Sequence, residues 1–210
     1  MDADPPGFSL IETMRHEPAT GFLRLDLHLA RLSASAEALG FAGAGAARDA
    51  LVALEKTASP MRVRLELFAS GRIEITTAPF HPVEDGTVWR LKIARTRLSS
   101  RDPLLCHKTS RRGVYDAARA EFDRGEADEV LLLNEKGAVC EGTITTLFVD
   151  DGAGGLVTPP LSAGLLAGVL RAELLCRKKA RVAPIFPRDL AGKSLYLGNS
   201  LRGLIPARLA

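Results

Sequence analysis

Apolar residues recur along this chain with two different periods. Residues 61–67, Met-Arg-Val-Arg-Leu-Glu-Leu, alternate apolar and polar without an error, which predicts a strand with one face buried. Leu29, Leu32, Ala36 and Leu39 recur at helical spacing and stop at Gly40, so a helix is predicted there, with Asp26 placed to cap its start. Residues 8–15 and 21–25 predict two short strands around a His-Glu-Pro-Ala-Thr-Gly turn, and 46–56 a second helix. Gly71 predicts a hairpin into a strand at 73–77, and 88–94 a further strand. Residues 1–97 are therefore expected to form the smaller domain, an α+β unit on an antiparallel sheet.

The segment Arg-Thr-Arg-Leu-Ser-Ser-Arg-Asp-Pro at 95–103 is polar and ends in proline, which predicts a link to a larger second domain, 98–210. Its pattern predicts a helix at 110–122, an apolar strand at 129–133, a turn at 134–137 and a strand through 143–149. A glycine-rich turn at 152–155, a helix at 165–176 and a short strand at 194–197 follow, and the tail has no clear pattern. The chain thus alternates α+β and α/β character over two domains.

Composition narrows the function classes. Lys plus Arg minus Asp plus Glu is 28 − 25 = +3, with the basic residues scattered, so a phosphate-tracking nucleic-acid surface is not indicated. Cys106, Cys140 and Cys176 are odd in number and widely spaced, which predicts neither a disulfide framework nor a metal site. The acidic, proline-rich start lacks the pattern of a signal peptide, and no apolar run approaches the roughly 20 residues of a membrane span. A cytoplasmic protein with no membrane partner is the expectation.

Four segments carry the chemistry: His28-Leu-Ala-Arg31-Leu; His107-Lys108-Thr-Ser-Arg-Arg112 with Tyr115-Asp116; 129–134 running on to Glu141-Gly-Thr-Ile-Thr-Thr146-Leu-Phe148; and Gly198-Asn-Ser-Leu-Arg-Gly203. In this order they resemble the class IV, or fold-type IV, family of pyridoxal-phosphate enzymes, and the resemblance runs from about Phe8 to the C-terminus. It implies the two-domain D-amino acid aminotransferase-like fold, pyridoxal 5′-phosphate as cofactor and a homodimer.

A lysine attacks an aldehyde only when its amine is neutral, and the neighbouring His107, Arg111 and Arg112 favour that state at Lys108. Taken alone, the same stretch reads as a solvated basic turn. The resemblance makes Lys108 the cofactor lysine, and Glu141 the acid facing the cofactor's ring nitrogen, where a carboxylate keeps a proton in place. Thr146 stands where the family usually has Asn.

Arg31 lies one helical turn from His28, and its fork suits a phosphate. The resemblance makes it the phosphate-binding arginine, although an exposed helix-surface arginine fits the pattern as well. The rest of a phosphate site is expected from backbone N–H groups around Gly168, Val169 and Leu170, with Asn199 or Ser200 supplying a hydroxyl or amide in place of the Thr or Ser usual at Leu170. Arg112, Tyr115, Thr13 and Arg202 are candidate contacts to a small amino substrate.

The wording at 8–15, 28–32 and 107–116 is most similar to the aminodeoxychorismate lyases, in particular those fused to a synthase component. This implies elimination of pyruvate from 4-amino-4-deoxychorismate to give p-aminobenzoate, a folate precursor, and a functional link to an aminodeoxychorismate synthase. The same groups serve transamination of branched-chain or D-amino acids equally well. A binding protein without catalysis is disfavoured by the joint presence of Lys108 and Glu141.

Overall fold

The computed structural model describes residues 7–54 and 58–210. The acidic start and the end of the helix predicted at 46–56 fall on residues outside these. The chain divides into two compact units, Met1–Pro82 with His107–Arg111, and Val83–Cys106 with Arg112–Ala210.

The first unit holds an antiparallel sheet of β1 (Leu10–Glu17), β2 (Gly21–Phe22), β3 (Met61–Leu67) and β4 (Ile73–Pro79), in the order β2-β1-β3-β4. Two helices, α1 (Leu25–Leu39) and α2 (Ala47–Val52), supply the other layer. Alternation does its expected work here: Leu10 and Met14 of β1 and Val63, Leu65 and Leu67 of β3 pack with Leu32 and Ala36 of α1 and with Ala47 and Leu51 of α2. Gly40 ends α1 at φ 71, and Gly71 turns β3 into β4 at φ 87, conformations that glycine adopts without strain.

Asp26 does not cap α1. The cap is Arg24 in the left-handed region at φ 58, without a side-chain cap bond, and Asp26 sits in the first turn paired with Arg48. β2 is consequently shorter than the predicted 21–25.

The second unit is built on β5 (Trp89–Leu98), β6 (Glu129–Asn134), β7 (Val139–Gly142), β8 (Thr146–Asp150), β9 (Leu156–Thr158), β10 (Ala180–Val182), β11 (Leu195–Asn199) and β12 (Gly203–Leu209). Their order in one mixed sheet is β10-β9-β8-β11-β12-β5-β6-β7. β6 is buried on both faces, with Leu131 and Leu133 in one apolar cluster and Val130 and Leu132 in another. That explains why its sequence is a continuous apolar run and not an alternation. Two helices belong to this unit, α3 (Gly113–Arg119) and α4 (Val169–Cys176). Among the described residues no helix is long and apolar enough to cross a membrane.

Three predicted boundaries shift for physical reasons. The polar segment at 95–98 is not a linker but the end of β5, so the domain boundary expected at 97 and 98 falls inside a strand. A register shift between Ile93 and Arg97 interrupts the ladder to β6, and the Glu121 carboxylate takes the N–H groups of Arg95 and Thr96, at 2.6 and 2.7 Å. The predicted strand at 143–149 is broken by a turn. The Glu129 carboxyl accepts from the Thr143 N–H and hydroxyl, the Ile144 N–H and the Thr145 hydroxyl at 2.5–3.1 Å, so β-branched residues that read as strand are folded around one acid. The helix predicted at 110–122 starts only at Gly113, because the residues before it are held in another way, described below.

Gly142 sits where this turn is tightest, and a Cβ there would fall against Thr145 Oγ1 and within 2.9 Å of the Glu129 side chain. Gly142→Ala is expected to cost about 1–3 kcal/mol through this overpacking. Urea unfolding checks it, and a wild-type midpoint would show that the turn has room.

Candidate active site

In the first unit the residues around Lys108 form a short extended piece alongside β1. Leu10 and Thr109 form an antiparallel bridge, the Ile11 N–H donates to the Lys108 carbonyl at 2.7 Å, and the Ser110 N–H donates to the Ser9 carbonyl at 2.9 Å. The Ser110 hydroxyl accepts in turn from the Ser9 N–H at 2.9 Å, and His107 Nδ1 lies 2.9 Å from the Ser35 hydroxyl on α1. Lys108 is half-buried, and its backbone is fixed on both sides. An extended segment pinned in this way cannot begin a helix, which accounts for the late start of α3.

Below this segment, on the core-facing side of β1, lies a carboxylate that the sequence reading passed over. Glu12 is 2% exposed; its Oε1 accepts from Arg31 Nε at 2.8 Å, and its Oε2 accepts from Arg31 Nη2 and lies next to His28 Nδ1, each at 2.5 Å. Burial by itself raises a carboxyl pKa, but the Arg31 charge and the bonds from His28 and Arg31 outweigh it and hold Glu12 at about 2. Burial lowers the His28 pKa, against the bond and charge of Glu12, which keeps the ring neutral and its Nδ1–H donating. Arg31 therefore does not lie free on a helix surface; its guanidinium is fixed by a bidentate pair. The signal was present in the sequence as an acid at the core position of Leu10-x-Glu12-x-Met14, opposite a His and an Arg one helical turn apart. Thr13, on the other side of the same strand, is half-buried opposite Arg64.

In the second unit Glu141 ends β7 with 4% exposure. Its Oε1 accepts from the Tyr115 hydroxyl at 2.7 Å and from the Leu166 N–H at 3.0 Å. Tyr115 thus faces an acid. Arg112 lies over the Tyr115 ring, 4.8 Å from its centroid, and donates through Nη2 to the Thr143 carbonyl at 2.5 Å. Its guanidinium is engaged inside the unit, where a substrate contact was expected.

The helix predicted from 165 begins at Val169. Gly168 before it is extended, φ −64 and ψ 137, and gives the N-terminus no side-chain cap. A Cβ on Gly168 would meet the Thr146 hydroxyl at 2.9 Å. Leu170 packs with Phe148 and Leu174 and lies close over Gly198. Asn199, expected to replace a phosphate ligand, instead donates to the Ile144 carbonyl at 3.1 Å and accepts from the Arg202 N–H at 2.9 Å, bracing the turn after Glu141. Ser200 next to it is buried.

A second overlooked group is Arg171, in the first turn of α4. It is 6% exposed, donates to the Pro159 carbonyl at 2.9 Å and has a buried Nε without a partner among the described residues. Burial lowers its pKa while the Glu141 charge works the other way. Cys140, beside Glu141, has its thiol pushed up to about 12 by burial and by the Glu141 charge, so it is no nucleophile. No group of His, Cys, Asp and Glu among the described residues could hold a metal ion.

The sequence model of amino-transferase class IV matches residues 9–210. The chain belongs to the class IV amino-transferase family. A Mesorhizobium loti structure provisionally named an amino-acid aminotransferase is 51% identical, covering 97% of this chain and all of that one, with a TM-score of 0.89. A Schizosaccharomyces pombe protein provisionally named aminodeoxychorismate lyase is 30% identical over 72% of this chain and 67% of its own length. The 4-amino-4-deoxychorismate lyase of Pseudomonas aeruginosa is 26% identical, covering all of this chain and 87% of that one, with a TM-score of 0.80. The class IV family depends on pyridoxal phosphate, and residues of a kind that fits such a group are present in each unit: a lysine amine in the first and a buried carboxylate in the second.

In Glu12→Gln the buried Arg31 loses its counter-charge, at a cost of about 3–5 kcal/mol. The pH dependence has one sign for both partners. Glu12 contributes stability that is complete above its unfolded value of 4.5 and is lost as pH falls towards about 2. His28, harder to protonate folded than unfolded, weakens the fold as pH drops below 6.5. Thermal melts from neutral to acid pH should therefore fall steadily in the wild type and more shallowly in Glu12→Gln; parallel curves would remove the triad as the cause.

Proposed function

We propose that this class IV protein is a pyridoxal-phosphate-dependent 4-amino-4-deoxychorismate lyase, and the observation that carries the reading is Lys108, held by its backbone within His107-Lys-Thr-Ser-Arg-Arg, in a chain 30% identical to a protein provisionally named for that activity. Pyridoxal phosphate, when bound, supplies a conjugated system that takes up the electron pair left as the C–H bond at the amine-bearing carbon breaks. Lys108 Nζ would hold the cofactor in the resting enzyme and, with the substrate amine bound, would accept that proton as general base. The ether bond to the enolpyruvyl group breaks on the neighbouring carbon, the departing enolpyruvate takes up the proton that Lys108 carries and becomes pyruvate, and the ring becomes aromatic as p-aminobenzoate.

Glu141 holds the proton on the ring nitrogen of the bound cofactor, and its burial strengthens that interaction by excluding water. Arg31, set by Glu12, and the N–H groups at Val169 and Leu170 hold the phosphate. Ser200 is a further donor to it. Thr13 in the first unit and Arg202 in the second remain candidate substrate contacts.

Transamination is the second reading, favoured by the 51% identity to the Mesorhizobium loti protein. There Lys108 would again take and pass on the proton of the amine-bearing carbon, and the substrate would leave as a keto acid. Cofactor form after one turnover separates the two. The lyase releases pyruvate and p-aminobenzoate with the aldehyde form regenerated; conversion to the amine form by an ordinary amino acid, reversed at a competent rate by a keto acid, would establish the transaminase.

Two variants test the assigned roles. Borohydride should fix the cofactor on Lys108, detectable as a mass increase on the peptide that contains it, and Lys108→Ala should remove both this and turnover. Arg31→Ala should weaken cofactor affinity more than the chemical step, and unchanged affinity would remove it from the phosphate site.

A further inference from the structure

Glu141 is buried, and whatever it does for the cofactor depends on where its oxygens point. A glutamate side chain has a soft terminal torsion, so burial alone does not orient the carboxylate plane. Here Oε1 takes two donors at once, the Tyr115 hydroxyl at 2.7 Å and the Leu166 N–H at 3.0 Å, from two separate elements. Tyr115 is itself held: its ring packs in the cluster with Ala118, Val130 and Leu132, and the Arg112 guanidinium lies over it, tied to the Thr143 carbonyl.

Resting on the role proposed above for Glu141, we infer that Tyr115 is a positioning residue that fixes the Glu141 carboxylate in one orientation and keeps it the anionic partner of the cofactor ring nitrogen. Two physical effects act in the same direction. Donation into Oε1 lowers the carboxylate's appetite for a proton, so the shared proton stays on the ring nitrogen. The same bond limits rotation, so the carboxylate stays aligned with that nitrogen. Tyr115 cannot act as the proton shuttle, because burial and then the adjacent Glu141 charge raise its phenol pKa well above the ordinary value, and it remains a donor. A substrate contact through its hydroxyl is disfavoured by the same bond. The ring alone would satisfy the packing, so the hydroxyl is the part whose presence calls for a reason.

Tyr115→Phe separates ring from hydroxyl, and the Leu166 N–H still anchors Oε1 in that variant, so a partial loss is expected. Holoprotein is prepared with cofactor labelled with 15N at the ring nitrogen, for wild type, Tyr115→Phe, Glu141→Gln and the double variant. In wild type the nitrogen signal should be that of the protonated ring across neutral pH. In Tyr115→Phe it should move towards the unprotonated position, with turnover down about 10- to 100-fold, the equivalent of one charge-assisted hydrogen bond, and a thermal midpoint near wild type. The double variant should be no worse than Glu141→Gln, because the two side chains act as one unit. With a cofactor analogue carrying C–H in place of the ring nitrogen, Tyr115→Phe and wild type should turn over alike.

A wild-type nitrogen signal in Tyr115→Phe beside a displaced one in Glu141→Gln would overturn the positioning role and leave Glu141 where it is proposed to be. Multiplicative losses in the double variant would likewise overturn it, since Tyr115 would then act apart from Glu141. A silent Glu141→Gln, or a protein that takes up no cofactor, would sink the reading of Glu141 and the inference together.

Discussion

An acid group buried away from water has to be given donors, and in this chain that requirement organises the backbone at three places. Glu12, Glu129 and Glu141 are each at most 4% exposed. Leaving such a group unsatisfied would cost several kcal/mol, a large part of what keeps a domain folded. The donors recruited to each therefore become fixed points. Glu12 locks α1 onto β1 through His28 and Arg31. Glu129 folds residues 143–145 into a turn and so ends β7 just after Glu141. Glu141 draws in Tyr115 from α3 and the backbone just ahead of α4. In each case the acid comes from a strand; Glu12 and Glu141 take at least one donor from a helix or the loop leading into one, and Glu129 takes its donors from the turn between β7 and β8.

Much of this was legible as pattern. The unbroken alternation at 61–67 matches β3, whose Val63, Leu65 and Leu67 are buried. The apolar run from 129 matches a strand closed on both faces. What was hidden has one common cause: side chains from distant positions satisfying backbone groups. Glu121 rescues the N–H groups at the irregularity in β5, so a polar stretch continues as strand where composition reads linker. Thr143 and Thr145 have strand propensity, yet their hydroxyls turn towards Glu129. Lys108 reads as part of a basic turn and Ser110 as a helix start, yet their backbone bonds go to Ile11 and Ser9. No window of local sequence contains both halves of such a contact.

The candidate site was legible in a different way. Lys108, Glu141 and Arg31 were named from ordered motifs, but the groups that hold them were not. Glu12 and Arg171 look unremarkable in sequence, one an acid in a strand and the other a base in a helix. Only burial distinguishes them. Arg112, Tyr115 and Asn199 were named for contacts to small molecules, and their polar atoms engage the surrounding protein. Residues close to the chemistry in sequence are thus recruited here to hold its neighbours in place.

The bridge between Leu10 and Thr109 has a consequence for how the chain can be divided. The five residues that include the lysine belong with the first unit although the chain has by then laid down β5, so neither unit is a continuous stretch of polypeptide. A cut at residue 97, natural or engineered, would yield a first fragment with an open edge on β1 and without Lys108, and a second fragment with a loose strand that carries it. Joining segments about a hundred residues apart also delays their meeting, since the loop between them has to close before the contact returns any energy. Lys108 is then seated only once its segment has met β1 across that loop.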